Sequence, residues 1–214
     1  DEDPVGPWGS SDELLYKKAM PILHELKNQD QKFYASFITL SHHHPYHIPE
    51  KKKRLKLPAD LNGTLLGNYL VSAHYEDYAL GLFLRDLKES GLWDNSLLII
   101  YGDHFGLPRR DEIKAEKVLK QLLGREYTDV DRLNIPLFIR APGIKPQIIE
   151  TIGGQVDILP TLANLLGLSL KQQIVFGQDI LNTENNLLGF RYYYPEGSFL
   201  SFESFHKGGT GGHR

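Results

Sequence analysis

The sequence predicts an α/β layered fold in which helices flank a mostly parallel β-sheet, with an antiparallel hairpin near the C-terminus. Segments with helical periodicity alternate with short strand-like segments, as they do in α/β proteins. The segment SLLIIYG (96–102) is apolar without polar alternation. Such a strand is typical of a sheet covered by helices on both faces. The segment GFRYYYPEGSFLS (189–201) has a turn sequence, PEG, between two aromatic runs, which predicts the hairpin.

The first half of the chain predicts two helices, one strand and a long loop. A helix is expected over 12–28, where polar residues can cap the start and apolar residues recur on one face. Aromatic and β-branched residues over 32–41 predict a strand. Residues 42–64 form a loop with four histidines and three prolines, and loops of this length usually serve a site. A second helix is expected over 65–90, ended by Gly91.

The second half continues the alternation of helices and strands. A helix is predicted over 112–123, a strand over 135–143 and a helix over 155–168. Asp157 in the last of these is interpreted as a cap of the first turn rather than as a ligand. The apolar residues of this segment are expected to pack on the sheet; they are Val156, Ile158, Leu159, Leu162, Leu165 and Leu166.

The composition excludes several classes of protein and of site. The chain has 214 residues and no cysteine, which excludes disulfides, thiolate metal ligands and a cysteine nucleophile. Its formal net charge of −3 gives no support to a nucleic-acid-binding function, for which a basic surplus is normal. The sequence has no apolar run of about 18 residues that would predict a transmembrane helix.

Two residues of metal-ligand type follow directly after the most apolar strand. Ligands of open α/β sheets bind beyond the carboxyl ends of the strands, where Asp103 and His104 stand. Glycines at 102 and 106 allow the chain to turn there. Oxygen and nitrogen ligands suit manganese or zinc. The alternative is that Asp103 caps the next segment and His104 packs in a turn.

A histidine-rich segment, SHHHPYH (41–47), follows the predicted strand 32–41 and should lie at the same edge of the sheet. One histidine there can contact an anionic ligand or complete a metal site, while most of them are expected in a solvated loop. The basic run KKKR (51–54) and Lys56 follow shortly after. This run can face anionic lipid, although a solvated loop is the favoured interpretation.

Several segments together resemble one known family. LKESGLWDNSLLIIYGDHFG, IPLFIRAPG, GQVDILPTLANLLGL and FGQDIL occur in the order typical of the sulfatase-like branch of the alkaline phosphatase superfamily. Within it, FYASFITLSHHHPY, YGDHFG and YPEGSF most resemble the lipoteichoic acid synthases and related phosphoglycerol transferases. The resemblance covers residues 8–199. It implies that 1–203 is the C-terminal part of an alkaline-phosphatase-like catalytic domain. The Gly-rich composition of the chain end predicts a flexible tail over 204–214.

The resemblance also implies an activity and its residues. Enzymes of this family transfer glycerol phosphate from phosphatidylglycerol to a lipoteichoic-acid-type polymer, through a threonine nucleophile at a Mn²⁺ site. By position in the motifs, Asp103 and His104 are two of the four metal ligands, His43 binds substrate and Trp8 lines the glycerol phosphate pocket. Other divalent metals remain open as the cofactor. The partners implied are phosphatidylglycerol, the glycerol phosphate polymer and, through an N-terminal region, the membrane. The expected location is the extracellular face of a Gram-positive cell membrane.

One departure limits what this chain is expected to do alone. The family's remaining ligands, a glutamate and the nucleophilic threonine, lie upstream of the segment that Trp8 begins. The isolated chain is therefore expected to be inactive. Two alternatives stay open. The first is a sulfatase or phosphodiesterase of the same superfamily, and the second is a catalytically silent domain that binds wall polymer.

Overall fold

The computed structural model describes residues 3–5, 9–107, 113–190, 194–201 and 204–209. These residues belong to two units, Asp1–Pro142 and Gly143–Arg214. The described helices and strands of the first unit are β1 (Pro4–Val5), β2 (Gly9–Ser10), α1 (Asp12–Asn28), α2 (Leu65–Glu89), β3 (Leu98–Tyr101), α3 (Ile113–Leu123), α4 (Asp129–Leu133) and β4 (Leu137–Arg140). Those of the second unit are α5 (Ile158–Leu165), β5 (Leu188–Gly189), β6 (Phe199–Leu200) and β7 (Phe205–His206).

Helices α1 and α2 begin at side-chain caps, and their mutual packing makes one core of the first unit. The Ser11 hydroxyl accepts from the N–H of Leu14 at 3.4 Å, and the Thr64 hydroxyl accepts from that of Gly67 at 3.0 Å. Each cap satisfies a backbone donor that the helix itself leaves unpaired. The buried core residues of the pair are Tyr16, Met20, Leu23, Ala79, Phe83 and Leu87. Both helices confirm the predicted bounds to within a residue.

Strands β3 and β4 form an antiparallel ladder in which Leu98 pairs with Arg140 and Tyr101 with Leu137. Every strand pair among the described residues is antiparallel, so the parallel pairing that the sequence predicts does not occur among them. The burial expected for β3 is also partial. Tyr101 is 49% exposed, and Phe138 on the paired strand is 64% exposed.

The strand predicted over 32–41 is wrong. These residues carry no regular secondary structure, and Tyr34 and Ile38 are 88% and 76% exposed. The β-type side chains of this segment favour a strand only where a neighbouring strand supplies ladder hydrogen bonds and cross-strand contacts. The described residues supply no such neighbour.

In the second unit, the buried carboxylate of Asp157 holds three segments together. It is 3% exposed and accepts from the N–H groups of Gly154 at 2.8 Å and Gln178 at 2.7 Å. The Asn186 amide donates a third bond at 3.0 Å. The structural interpretation of Asp157 therefore agrees with the contacts, although the side chain ties loops to the helix start rather than capping α5 itself. The apolar face expected beside it is not buried as predicted, since Val156, Leu159 and Leu166 are each more than half exposed.

The C-terminal hairpin confirms the prediction from YPEGSF. Strand β5 pairs antiparallel with β6, and β6 pairs with β7. The N–H of Ser198 donates to the carbonyl of Pro195 at 3.1 Å to close the turn. Gly197 has φ of 80°, a conformation that favours glycine. Among the described residues, no helix is long and apolar enough to cross a membrane.

Candidate functional site

The histidine-rich loop is attached to the start of α1 by a buried pair. The carboxylate of Asp12 accepts from the N–H of Leu40 at 2.9 Å and from that of Ser41 at 3.3 Å. In return, the Ser41 hydroxyl accepts from the N–H of Asp12 at 3.1 Å. Both residues are 1% exposed, so these bonds are shielded from water and fix the point at which the loop begins.

Two further hydrogen bonds attach the same loop to α2. The Thr39 hydroxyl donates to Glu76 at 2.9 Å, and Nδ1 of His42 lies 2.7 Å from the Ser72 hydroxyl. Burial raises the pKa of Glu76, and the nearby charges of Asp12 and Asp103 raise it further, while the Thr39 bond lowers it. Burial lowers the pKa of His42 to about 4, so this imidazole is neutral at physiological pH.

Asp103 and His104 stand at the tip of β3 with their side chains close together. Oδ1 of Asp103 lies 3.7 Å from Nε2 of His104, and the two side chains are 80% and 58% exposed. The backbone before them is held by the Gly102 N–H, which donates to the carbonyl of Pro136 at 3.1 Å. The Gly106 N–H after them donates to the carbonyl of Arg132 in α4, at 2.8 Å.

A hydrogen bond of the His104 ring determines its tautomer, and so whether the nitrogen that faces Asp103 carries a proton. Nδ1 lies 3.0 Å from the carbonyl of Phe105. A carbonyl only accepts, so Nδ1 carries the proton, and in the neutral ring Nε2 presents a lone pair toward the carboxylate. Metal-binding histidines commonly have this arrangement, in which one nitrogen donates to a backbone carbonyl and the other coordinates.

The two facing ligand atoms of Asp103 and His104 are close enough to share one divalent ion. Ligand atoms about 2.1 Å from one divalent ion lie at most about 4.2 Å apart, and the observed separation of 3.7 Å is within that limit. The carboxylate oxygen and the imidazole lone pair are both electron-rich and repel each other at this distance. A cation bound between them would offset that repulsion. Within the described ranges, no group of three or more metal-ligand side chains occurs, so the described residues bring together only these two candidate ligands here.

The histidine-rich loop and the loop after β3 pack on the same end of α2. Tyr46 of the first loop and Leu107 of the second belong to one buried cluster with Leu66 of α2. Tyr69, one turn along the helix, has its ring centroid 4.4 Å from that of His42 and 5.1 Å from that of Tyr46. The two motifs that the sequence singled out are therefore neighbours through a shared apolar base.

Of the two residues expected to bind substrate, the structure describes His43 but not Trp8, and both roles stay predictions. His43 lies in an exposed part of its loop, and its Nδ1 is 2.7 Å from the carbonyl of His44. By the same reasoning as for His104, Nδ1 donates to that carbonyl, so Nε2 of His43 donates to a ligand only when the ring is protonated. Trp8 lies outside the described residues, so its expected role stays a prediction.

The basic run after the histidines is largely engaged within the protein. Lys52 is 11% exposed and bonds with Asp3 at 2.7 Å and with Glu13 at 3.2 Å. Arg54 stacks over the Tyr78 ring at 3.5 Å. These contacts favour a structural role for Lys52 and Arg54. The remaining exposed basic side chains of the run are those that could contact an anionic surface.

No sequence motif indicated three groups of this region: the Tyr69 ring, the Ser72 hydroxyl and the Glu76 carboxylate. All three lie on α2, whose sequence signals its helical period and its caps but not which polar side chains turn inward. Glu76 and Ser72 could be found only by knowing that the loop 39–42 crosses this face of the helix. Tyr69 stands next to the apolar stripe and reads as an ordinary core residue.

Comparison with known proteins decides the family. The model of the Sulfatase family matches residues 1–168. The chain belongs to the sulfatase family. This sulfatase-family chain is 36% identical over 202 residues to lipoteichoic acid synthase 2 of Bacillus subtilis (strain 168), covering 94% of the chain and 30% of that protein. It is 32% identical over 203 residues to lipoteichoic acid synthase of Staphylococcus aureus (strain USA300), covering 90% of the chain and 30% of that protein.

Solved structures place the sulfatase-family chain in the same fold family. The lipoteichoic acid synthase LtaP from Listeria monocytogenes has a TM-score of 0.86 and 42% identity, over 94% of this chain and 50% of that one. An alkaline phosphatase superfamily protein from Vibrio parahaemolyticus has a TM-score of 0.66 and 28% identity, over 93% and 44% of the two chains. The expected family and fold are thus confirmed. The chain spans about a third of the length of the curated relatives it matches.

Proposed function

We propose that this chain contributes to a phosphoglycerol transferase that moves glycerol phosphate from phosphatidylglycerol to a lipoteichoic-acid-type polymer. Its relatives are named lipoteichoic acid synthases, and the observation that most supports a reaction at this site is the Asp103–His104 pair. The carboxylate and the imidazole lone pair, 3.7 Å apart, offer two ligands to a divalent ion. We assign residues 1–203 to part of the catalytic domain, and we correct the expected tail, since Phe205–His206 form β7 and pair with β6.

The chemistry of phosphodiester transfer gives each residue a role. A bound divalent ion, Mn²⁺ in this proposal, would lower the pKa of an attacking hydroxyl and stabilise charge that develops at phosphorus. Asp103 would hold it with its negative charge, and His104 would hold it with a neutral ring whose tautomer the Phe105 carbonyl selects. His43 binds a phosphate oxygen, and Trp8 lines the pocket. The nucleophilic threonine and a glutamate ligand belong to a region outside this chain.

The proposal also includes a place of action. The reaction uses a membrane lipid and builds a surface polymer, so we place the enzyme at the extracellular face of the cell membrane of a Gram-positive bacterium. Nucleic acid is not among the proposed partners, in line with the net charge of −3. A sulfatase is the second candidate, because the matching family model is described as Sulfatase.

The decisive experiment compares the complete product of the gene with the isolated 214-residue chain. In detergent micelles containing phosphatidylglycerol and Mn²⁺, the complete product should release diacylglycerol. Asp103→Ala should lower that rate at least ~100-fold, because the ion loses a charged ligand. Asp94→Ala is a matched control, since Asp94 is exposed in a turn before β3. The isolated chain should release no diacylglycerol.

Three outcomes would contradict this assignment. Hydrolysis of an aryl sulfate without diacylglycerol release would favour the sulfatase. Turnover by the isolated chain that disappears in Asp103→Ala would show that the remaining ligands are not needed. Equal activity in Asp103→Ala and Asp94→Ala would remove the metal role from Asp103.

A further inference from the structure

We propose that the hydroxyl of Tyr69 is a hydrogen-bond donor to the phosphate-bearing ligand of this site, placed between the histidine-rich loop and the loop after β3. This inference rests on the proposed function, because the anionic ligand is the one proposed above. It concerns a residue that no motif of the sequence singles out. Three features of the structure carry it: a fixed ring, an open space at the hydroxyl, and the lack of a hydrogen-bond partner among the described residues.

The Tyr69 ring is fixed by neighbours from both sides of the site. Its centroid lies 4.4 Å from that of His42 in an edge-to-face contact and 5.1 Å from that of Tyr46 in another. It also packs against the buried cluster that contains Leu66 and Leu107. Aromatic contacts of this kind hold a ring in one orientation, so the position of the hydroxyl is determined before any ligand arrives.

The hydroxyl oxygen of Tyr69 lies at the loop that carries the proposed metal ligands. A Cβ atom built on Gly106 would stand 3.4 Å from this oxygen. Gly106 is two residues beyond His104, and its backbone N–H is held by the carbonyl of Arg132 at 2.8 Å. With hydrogen in place of a side chain at this position, the space beside the hydroxyl stays open toward the loop.

The hydrogen bonds of other tyrosines in the same unit show by contrast that the Tyr69 hydroxyl is not used to hold the fold. The Tyr127 hydroxyl donates to the carbonyl of Leu107 at 2.8 Å, and that of Tyr75 bonds with Glu13. Within the described part of the chain, the Tyr69 oxygen makes no hydrogen bond, nor is it among the fully buried polar atoms that lack one. It therefore retains contact with solvent and can reach a ligand.

The chemistry of the ligand matches a neutral donor at this point. A phosphodiester carries negative oxygens, and an O–H that donates to an anion makes a shorter and stronger bond than one between neutral groups. His43 donates only in its protonated form, as derived above, whereas a phenol donates at any pH below its own pKa. Tyr69 would thus keep one donor on the ligand when His43 is neutral.

The test uses the complete gene product with Mn²⁺ and compares Tyr69→Phe with Tyr78→Phe. The two tyrosines share α2, and phenylalanine keeps each ring while removing the hydroxyl. Calorimetric titration with glycerol phosphate should show ~10-fold weaker binding for Tyr69→Phe, as expected for the loss of a hydrogen bond to a charged group. The control should bind like the wild type, and the free energies of unfolding of both variants should match that of the wild type.

Each outcome separates this inference from the proposed function. Equal affinity of the wild type and Tyr69→Phe would overturn the role of Tyr69, whatever the enzyme does with lipid. A wild type that binds glycerol phosphate through Tyr69 but releases no diacylglycerol would support the inference and overturn transfer from phosphatidylglycerol. A wild type that neither binds nor transfers would overturn both.

Discussion

His42 shows how one residue of a histidine-rich segment becomes part of the packing while its neighbour stays exposed. Its ring contacts Tyr46 and Tyr69, and Nδ1 meets the Ser72 hydroxyl. His43, the next residue, is exposed. The sequence indicates that few of the four histidines are functional, but the choice between adjacent positions depends on which side of the loop faces α2.

The buried state of His42 predicts a loss of stability in mild acid. The pKa is about 4 in the folded protein against an ordinary value of 6.5. Between pH 6.5 and pH 4 the unfolded chain binds a proton at His42 that the folded protein does not bind. The stabilisation from neutral His42 is therefore complete above pH 6.5 and is lost as the pH falls to 4. The loss amounts to about 3 kcal/mol at most. Urea unfolding of the wild type and His42→Gln at pH 7.5 and pH 4.5 measures it.

The comparison of the two proteins is needed because carboxyls act in the opposite direction. Burial raises the pKa of Asp12 and Glu76, so their protonation in acid favours the folded state. We expect the wild type to lose more stability than His42→Gln between the two pH values. An equal loss in both would mean that His42 is solvated in the folded protein.

At the scale of elements, the close approach of β3 to the segment before β4 positions the proposed metal ligands. A Cβ atom on Gly102 would lie 2.9 Å from Cβ of Ile135, a distance that real Cβ atoms do not tolerate. We expect Gly102→Ala to lower the free energy of unfolding by about 1–3 kcal/mol, because the ladder must shift to make room. Equilibrium unfolding in urea measures this change.

Gly81→Ala is the matched control for Gly102→Ala. Gly81 is exposed in α2 and a Cβ there meets nothing within 4 Å, so alanine should stabilise the helix by up to about 1 kcal/mol. The two glycine-to-alanine changes should therefore have opposite signs. Stabilisation by both would show that the end of β3 has room for a side chain.

The elements that the sequence predicts well are those whose causes are local. Helices α1 and α2 have capping side chains, helical periodicity and a terminal turn within their own residues, and they were predicted to within a residue. The segment 32–41 fails because a strand depends on a partner, and its composition does not say whether one is present. The antiparallel pairing of β3 with β4 has the same origin, since pairing direction is a property of two segments.

The whole chain exposes many apolar side chains, which predicts how it behaves in isolation. Tyr34 and Ile38 in the first unit and Ile174 and Phe176 in the second are each at least 76% exposed. Apolar groups exposed in number promote association and dye binding. We expect the isolated chain to bind 1-anilinonaphthalene-8-sulfonate without denaturant, and the double change Tyr34→Ser with Ile38→Thr to lower its fluorescence.

A conservative double variant provides the control for the dye experiment. Tyr34→Phe with Ile38→Val keeps the apolar surface and should leave the fluorescence unchanged. Both double variants should keep the free energy of unfolding within about 0.5 kcal/mol, because exposed positions contribute little to it. Equal fluorescence in the polar and apolar variants would mean that this segment is covered in solution.

The sequence predicts which ligand-type residues lie at a strand end of the candidate site. It does not predict the contacts that hold them in place. Asp103 and His104 are found because an acid and a histidine follow a strand. The carbonyl of Phe105, which selects the His104 tautomer, is a backbone group that every residue possesses, so no residue letter can indicate it. Tyr69 escapes for a similar reason, since its role depends on two loops that meet far from it in sequence.

The setting of Asp157 has a practical consequence for work with metals. Its oxygens already accept hydrogen bonds from three N–H donors. The positive ends of these N–H groups disfavour a cation beside the carboxylate. We therefore expect that added Mn²⁺ does not bind to the carboxylate of Asp157. A spectroscopic signal from manganese bound to this chain would accordingly not come from Asp157, the most buried of the described acids of the second unit.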